Sequence, residues 1–572
     1  MGKEIEQPRL KRSVKEQAKL SIGWLQHQWF DGWTLGVMAI ATLIATPIFV
    51  VLASIFTNQS SIWGHLAATV LPQYILNSLA LMLGVGAGVL LLGVGTAWLV
   101  TMCAFPGSRI FEWALLLPLA APAYLLAYTY TEVLDYYGPI QTLLRGLFGW
   151  QSATDYWFPN IRSLWGAIAM LSLVLYPYVY LLARVAFLEQ ANCTLEASRA
   201  LGCNPWQSFR KVALPLARPA ITAGLALVLM ETLNDFGTVQ YFGVSTFTTG
   251  IYRAWFGSGE RQAAAQLAAV LMMFILGLIL LERWSRRQAR YYQTSSRQQQ
   301  LSTYLLQGRR AIGAWLACIT PIILGLLIPG GLLLQMTLTE RTARFRSSFF
   351  ILANHSFLLA SVTAGIAVIL SFFLAYGVRL QGNPLLRLGV RISSMGYAVP
   401  GSVIAVGILI PIAWLDNSVD AWLQSTLGLS TGLLLSGSIA SLIMAYLVRF
   451  LAVSLSTVET GLGKIRPTYD DASRSLGQGT FSTLTKIHVP LLESSLFTAV
   501  MLVFVDVMKE LPATIVMQPS NFETLAVRVY QYAEDERLLE AAAPALAIIV
   551  VGLLPVLVLS WQIARSRQRT IS

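Results

Sequence analysis

The chain has 572 residues, of which 55% are hydrophobic and only 12% are charged, about half the charged fraction of an ordinary soluble protein. Apolar stretches of about 20 residues recur, which is the length that crosses the hydrocarbon core of a bilayer. The net charge of +12 would suit a nucleic-acid partner, but the cations lie in short segments between apolar stretches, where they set membrane orientation. The composition therefore excludes a soluble globular protein and predicts an all-α polytopic membrane protein with no nucleic-acid partner.

In chain order, a basic tail and interfacial helix (1–32) precede a first half (33–284), a linker rich in Arg, Gln and Ser (285–311), a second half (312–564) and a basic tail (565–572). Lys and Arg in the tails and the linker predict that both termini are cytoplasmic. Twelve spans are predicted, six in each half, near 33–56, 76–104, 111–133, 163–187, 217–243, 264–284, 312–336, 354–378, 388–414, 431–457, 493–517 and 541–562.

The two halves are an internal duplication. The string "EASRALG" from Glu196 recurs 275 residues later as "DASRSLG" from Asp471, and Pro215 and Arg253 have counterparts in Pro490 and Arg528 at the same offset. Six spans is an even number, so both halves enter the membrane with the same polarity. This predicts a parallel repeat with a site at the interface between the repeats.

Each repeat carries a polar insert between its fourth and fifth spans, at about 189–216 and 464–491. Gly202 can supply the left-handed residue that ends a short helix, and Asn204 with Pro205 can cap and begin a second one. That second helix is expected to end before Pro215. An ordinary amphipathic surface helix is the alternative, which the duplication disfavours.

The inserts resemble the coupling-loop signature of ABC importer permeases that work with an extracytoplasmic binding protein. The matching residues are Glu196, Ala197, Ser198, Gly202 and Pro215 in the first half and Asp471, Ala472, Ser473, Gly477 and Pro490 in the second. The resemblance implies the type I importer fold, a bacterial plasma (inner) membrane location and loops that dock onto a separate ATP-binding subunit, which is expected to be a homodimer. ATP and Mg²⁺ would bind to that ATPase.

No phosphate-binding G-x4-G-K-[ST] loop occurs in the sequence. We therefore expect a membrane permease subunit in lipid, with no bound cofactor and no enzymatic site of its own. An ion-driven secondary carrier can also have six plus six spans. Such a carrier would have no reason to duplicate a docking loop.

Four acidic residues follow the inserts: Glu231 and Asp235 in the first half, Asp506 and Glu510 in the second. Their spacing of four predicts that each pair shares one helix face, and intramembrane carboxylates are functional candidates by default. Together they would form a hard oxygen site that suits a small cation such as ferric iron, bound transiently. Pairing with cations such as Lys509, or a role lining the outer vestibule, is the alternative. Lys509 is expected to point to a different face because it is adjacent to Glu510.

The strings "ETLNDFGTVQYFG", "KELPAT", "STFTTGIYRAW" and "SNFETLAVRVY" resemble the ferric-iron branch of the importer family, in which one polypeptide supplies both halves. Branches that carry polyamines, thiamine or other small solutes have similar halves and stay open as alternatives. Arg253 and Arg528 are candidates for binding-protein docking, although they could instead cap a helix or bind lipid. Five tyrosines lie close together near the predicted outer membrane edge and are interpreted as interfacial residues: Tyr124, Tyr128, Tyr130, Tyr136 and Tyr137.

Overall fold

The computed structural model describes residues 32–56, 63–189, 198, 200–287, 304–339, 347–430 and 432–571. This part of the chain is almost wholly helical, which confirms the all-α class. The strands among the described residues form one two-residue parallel pair, Cys103–Ala104 with Tyr304–Leu305. It joins the end of the predicted linker to the end of the second predicted span.

The first half contains twelve described α-helices and four short 3-10 or π-helical segments. The α-helices are Gly32–Ala53, Trp63–Thr69, Leu71–Met102, Ser108–Ala114, Ala123–Leu134, Pro139–Phe148, Leu164–Glu189, Pro205–Ser208, Leu214–Asn234, Gly237–Tyr241, Phe247–Tyr252 and Arg261–Arg287. The 3-10 helices are Ser54–Phe56 and Leu117–Ala120, and the π-helical segments are Phe209–Ala213 and Arg253–Gly257.

The described part of the second half also contains twelve α-helices. They are Arg309–Ile322, Ile328–Thr339, Ser347–Gln381, Pro384–Ser393, Gly401–Leu427, Ile439–Gly463, Thr468–Ser475, Thr480–Thr483, Val489–Met508, Pro512–Met517, Leu525–Glu534 and Leu538–Ile571. Gly396–Ala398 is a 3-10 helix, and Ile323–Leu327 and Leu484–His488 are π-helical.

Eleven helices in the described part are long and apolar enough to cross a bilayer. The pair Ser108–Ala120 and Ala123–Phe148, bent by 86°, makes a twelfth if it counts as one span. The count agrees with the prediction of about twelve. The bent pair contains the predicted span 111–133, and Pro122 caps its second helix in an extended conformation.

Residue contacts divide the chain into two compact units, and neither coincides with one sequence repeat. The first unit comprises residues 1–47, 362–397 and 447–503, and the second comprises 48–361, 398–446 and 504–572. Within the first unit, Trp33 stacks on Phe373 with ring centroids 4.4 Å apart. The aromatic contact anchors the start of the first span.

In the second unit, the helices Leu71–Met102 and Leu164–Glu189 pack closely. A Cβ atom added to Gly93 would lie 2.9 Å from the backbone oxygen of Tyr176 and 2.9 Å from the Val179 Cβ. Small residues allow this approach where lipid offers no hydrophobic drive for helix association. Gly95, on the same helix, would place a Cβ in open space.

We predict that Gly93→Ala destabilises the protein by about 1–3 kcal/mol, because backbone atoms would have to move. Gly95→Ala is the matched control, since it brings the same gain in helix propensity without a contact. Thermal denaturation of the purified protein in detergent compares them. Equal midpoints for the two variants would show that the helices do not pack through Gly93.

Candidate functional site

In the described part of the first insert, a tight turn at Gly202 leads into the helix Pro205–Ser208. Gly202 has φ +84°, and the Cys203 N–H donates to the Ser198 carbonyl at 3.0 Å, a 6→1 bond that ends a helix at a left-handed residue. Asn204 then caps the next helix in a reciprocal capping box with Gln207. These contacts confirm the predicted turn and cap. Glu196 and Ala197 lie outside the described residues.

The second insert repeats this geometry. Gly477 has φ +72°, and the Gln478 N–H donates to the Ser473 carbonyl at 3.1 Å. Asp471 and Ala472 lie exposed on the preceding helix, Thr468–Ser475. The duplicated sequence therefore encodes a duplicated turn.

A buried pair of hydroxyl groups joins the two helices of each insert. Ser198 Oγ lies 2.9 Å from Ser208 Oγ, and Ser473 Oγ lies 2.6 Å from Thr483 Oγ1; all four side chains are buried. Both pairs obey the 275-residue offset, a signal that sequence reasoning could have used and missed.

The prediction that the second insert helix ends before Pro215 is wrong. One continuous helix runs over Pro205–Asn234, and another over Thr480–Met508. Each contains a π-helical turn just before its proline, closed by Leu214 N–H to the Phe209 carbonyl in the first and by the corresponding bond in the second. A π-turn accommodates an extra residue and moves away the carbonyl that would clash with the proline ring. The second helix of each insert is thus continuous with the span that follows it.

Both inserts expose an apolar side chain on each side of the turn. Leu201 and Trp206 are 84% and 66% exposed, and their counterparts Leu476 and Phe481 are 77% and 76% exposed. Large apolar side chains held outward by a rigid turn suit a protein partner. Sequence reasoning concentrated on the motif residues and did not single out these four.

Asp235 does not share a helix face with Glu231, contrary to the prediction. The helix ends at Asn234, and Asp235 has an extended backbone. Its carboxylate accepts hydrogen bonds from the Thr238 hydroxyl at 2.9 Å and the Val239 N–H at 3.0 Å. It thereby caps the short helix Gly237–Tyr241.

Glu510 likewise caps a short helix in the second half. It also lies beyond the end of its own spanning helix, which ends at Met508. Its carboxylate accepts from the Ala513 N–H at 3.2 Å and from the Thr514 hydroxyl at 2.9 Å. The capped helix is Pro512–Met517. The second acid of each pair is therefore a structural cap in this conformation.

The first acid of each pair has a different partner in each half. Lys509 Nζ lies 2.9 Å from Asp506 Oδ1, because a spacing of three brings side chains together. The alternative that these acids pair with Lys509 is therefore confirmed for Asp506. The ammonium group also interacts electrostatically with Glu231. In the first half, Asn234 takes the place of Lys509 and donates to Glu231 Oε2 at 3.2 Å.

Asn234 also links the two halves within the second unit. Its Oδ1 accepts the Gly401 N–H at 2.8 Å, and Gly401 begins the helix Gly401–Leu427. The first N–H groups of a helix lack partners inside it. A side chain from the first half therefore satisfies the helix start of the second half.

The described residues contain no group of three or more His, Cys, Asp or Glu that could hold a metal ion. Glu231, Asp235, Asp506 and Glu510 thus do not form a closed metal centre in this conformation. A small cavity of about 10 Å³ lies beside the caps, lined by Phe236, Ser402 and Pro512 among others. It has room for about one water molecule.

The interpretation of the tyrosines as interfacial residues is wrong for the first three. Tyr124, Tyr128 and Tyr130 are buried in the protein, whereas Tyr137 is 90% exposed. The Tyr124 and Tyr128 hydroxyls have no hydrogen-bond partner within the described part of the chain. Tyr124 packs against the capped helix Gly237–Tyr241, since a Cβ added to Gly237 would lie 2.8 Å from the Tyr124 Cβ.

Arg253 and Arg528 occupy equivalent positions near the ends of short helices. Arg253 is exposed and donates to Ser245 Oγ at 3.3 Å. Arg528 lies 3.4 Å from Glu523 and donates to Gln531 at 3.2 Å. Their role in docking stays a prediction.

We predict that Asp235→Ala destabilises the protein by about 1–3 kcal/mol, because the Val239 N–H and the Thr238 hydroxyl lose their acceptor. Asp235→Asn keeps an acceptor oxygen and is expected to cost much less. Thermal denaturation in detergent measures both variants. If the alanine variant were as stable as the parent, Asp235 would not act as a cap.

Sequence comparisons extend this picture beyond the inserts. The family described as "Binding-protein-dependent transport system inner membrane component" matches residues 20–290 and 367–572. The two matched segments fall in the two halves, which agrees with a fused permease of two repeats.

Three similar proteins illustrate the range of relatives. The Fe(3+)-transport system permease protein FbpB 2 of Haemophilus influenzae is 25% identical over 501 residues, covering 86% of this chain and 90% of that protein. The ferric transport system permease protein FbpB of Actinobacillus pleuropneumoniae is 24% identical over 557 residues, covering 93% and 78%. The molybdenum transport system permease protein ModB of Escherichia coli is 27% identical over 205 residues, covering 35% and 86%.

The matched segments together span more than half of the chain, and both contain a polar insert whose second helix continues into the fifth span. The chain belongs to the family of binding-protein-dependent transport system inner membrane components.

Proposed function

We propose that this chain forms the translocation path for ferric iron in an ATP-driven importer. The iron would be delivered by an extracytoplasmic binding protein, and a separate ATP-binding subunit, acting as a homodimer, would supply ATP and Mg²⁺ chemistry. Two relatives that align over most of this chain are named as ferric transport permeases, which supports this cargo. Family membership disfavours an ion-driven secondary carrier.

One observation carries the proposal: the second helix of each coupling insert continues without a break to a last turn that carries an acidic side chain. In the first half, the helix Pro205–Asn234 has its insert at one end and Glu231 in its last turn. With a rise of 1.5 Å per residue, the two ends are about 40 Å apart. A tilt imposed on the insert by the ATPase would therefore move the acid directly.

The charges suit passage of a hard cation better than its storage. Glu231 and Asp506 can bind a cation through their carboxylate oxygens, and Lys509 balances part of their negative charge. A transported ion must bind strongly enough to enter and weakly enough to leave. We infer that the passing ion binds to Glu231 and Asp506 and displaces Lys509 from Asp506. Asp235 and Glu510 stabilise the helices that follow them.

The same acids would attract a polyamine, and relatives named for molybdenum and for 2-aminoethylphosphonate align with about a third of the chain. A polyamine is the alternative that the acids favour. The cations of residues 1–31 and of the linker support cytoplasmic termini. That orientation places both inserts on the ATPase side.

Transport by reconstituted complexes tests the cargo. We expect uptake of ⁵⁵Fe into liposomes when the ATPase and an iron-loaded binding protein are supplied, and a loss of at least about tenfold in the double variant Glu231→Gln/Asp506→Asn. Glu493→Gln, an exposed acid on the Thr480–Met508 helix, is the matched control. If a polyamine-loaded binding protein stimulated ATP hydrolysis by the complex and the iron-loaded one did not, a polyamine would replace iron as the proposed cargo.

Binding of the ATPase tests the exposed apolar pairs. Leu201→Asp and Leu476→Asp should each weaken association by about tenfold or more, because each leucine side chain contributes about 1.5–3 kcal/mol when buried. Ser475→Asp places the same charge one residue from Leu476 and should bind like the parent. Pull-down of the ATPase by tagged permease in detergent measures the change. Unchanged binding by both leucine variants would remove these residues from the interface.

A further inference from the structure

A cluster of polar side chains, in which Arg379 and Asp470 form an ion pair beside a buried histidine, lies at the base of the second coupling insert, inside the first unit. Arg379 Nη2 donates to Asp470 Oδ2 at 2.7 Å, and Arg379 Nε donates to the same oxygen at 3.2 Å. On the other side, His488 Nε2 lies 3.0 Å from Asp470 Oδ1. The His488 side chain is completely buried, and those of Arg379 and Asp470 are 17% and 18% exposed.

The cluster joins four separate helical elements. Arg379 lies in the last turn of Ser347–Gln381 and also donates to the carbonyls of Leu462 and Ile465 at 2.7 and 3.1 Å. Those carbonyls lie at the end of the helix Ile439–Gly463, where backbone acceptors lack helical partners. Asp470 adds the first helix of the insert, and His488 adds the π-helical turn at the root of the fifth span.

Packing restrains the histidine further. The Tyr376 ring lies edge-to-face against His488, with centroids 5.5 Å apart. Charged groups with little access to water interact strongly and tolerate little displacement. Removing one partner of such a buried set is more damaging than its net contribution to folding suggests.

The first half cannot form this cluster. At the 275-residue offset, Asp470 corresponds to Leu195 and His488 to Ala213. The first half has its own buried ion pair, Arg184 with Glu112 at 3.0 Å, which joins the helices Leu164–Glu189 and Ser108–Ala114. Neither residue of that pair lies in the insert 189–216.

We propose that Arg379, Asp470 and His488 are positioning residues that make the second coupling insert move as one body with its membrane helices. The first insert lacks this attachment and moves more independently. The two inserts are therefore unequal in transmitting the motion of the ATPase, and the second has the tighter mechanical link. This inference deepens the proposed function and rests on ATP-coupled transport.

Spin-label mobility tests the attachment without any cargo. Nitroxides at Ser475→Cys and Ala200→Cys, two exposed equivalent positions, are compared in a variant whose native cysteines are replaced. We expect slower motion at 475 than at 200, and faster motion at 475 after Asp470→Asn or His488→Ala. Equal mobility at the two sites, or no response to either substitution in folded protein, would overturn the proposal.

The coupling ratio provides the functional test. In proteoliposomes, we expect ATP hydrolysed per iron imported to rise at least about threefold in Asp470→Asn and His488→Ala. Glu112→Gln breaks a buried ion pair outside the insert and should leave the ratio unchanged. A parent-like ratio in both cluster variants would refute the coupling role.

The two proposals fail separately. If the parent complex is not stimulated by an iron-loaded binding protein, the ferric cargo is wrong, and the mobility comparison still decides the attachment. If iron is imported and the ratio does not change, the cargo stands and the attachment is wrong.

Discussion

This structure depends on the need to satisfy backbone hydrogen-bonding groups that have no access to water. In a bilayer core each N–H and C=O group needs a partner within the protein, and every break in a spanning helix exposes several such groups. Asp235 and Glu510 satisfy the helix starts that follow the broken fifth spans, and Asn234 satisfies the start of Gly401–Leu427. Acidic and amide side chains near the candidate path are therefore part of the framework as well as candidates for chemistry.

The same constraint shapes the connection between inserts and spans. A proline without an amide hydrogen would normally interrupt a helix, yet both fifth spans continue through Pro215 and Pro490. The π-helical turns before them let the helix tolerate the missing donor and keep the rod intact. A duplicated local irregularity thus keeps each insert continuous with the span that follows it.

Duplication supplies two copies of each device, and divergence makes them unequal. Lys509 replaces Asn234 and gives one half a cation near its acid. His488 stands where the first half has Ala213, and with Arg379 and Asp470 it anchors one insert. The two inserts keep the same turn geometry, while residues at other equivalent positions have diverged and make different contacts.

Local signals were enough to predict the class, the approximate span count, the duplicated inserts and their glycine turns, because apolar length, the 275-residue offset and glycines at turns can be read along the chain. The contacts of the polar side chains could not be predicted in this way. Asp235 and Glu510 became caps, Lys509 an ion-pair partner, and Tyr124 and Tyr128 buried neighbours of the caps. Spacing along a helix cannot reveal where that helix stops or which distant group accepts a hydrogen bond from its free N–H groups. Both depend on packing between elements far apart in the chain.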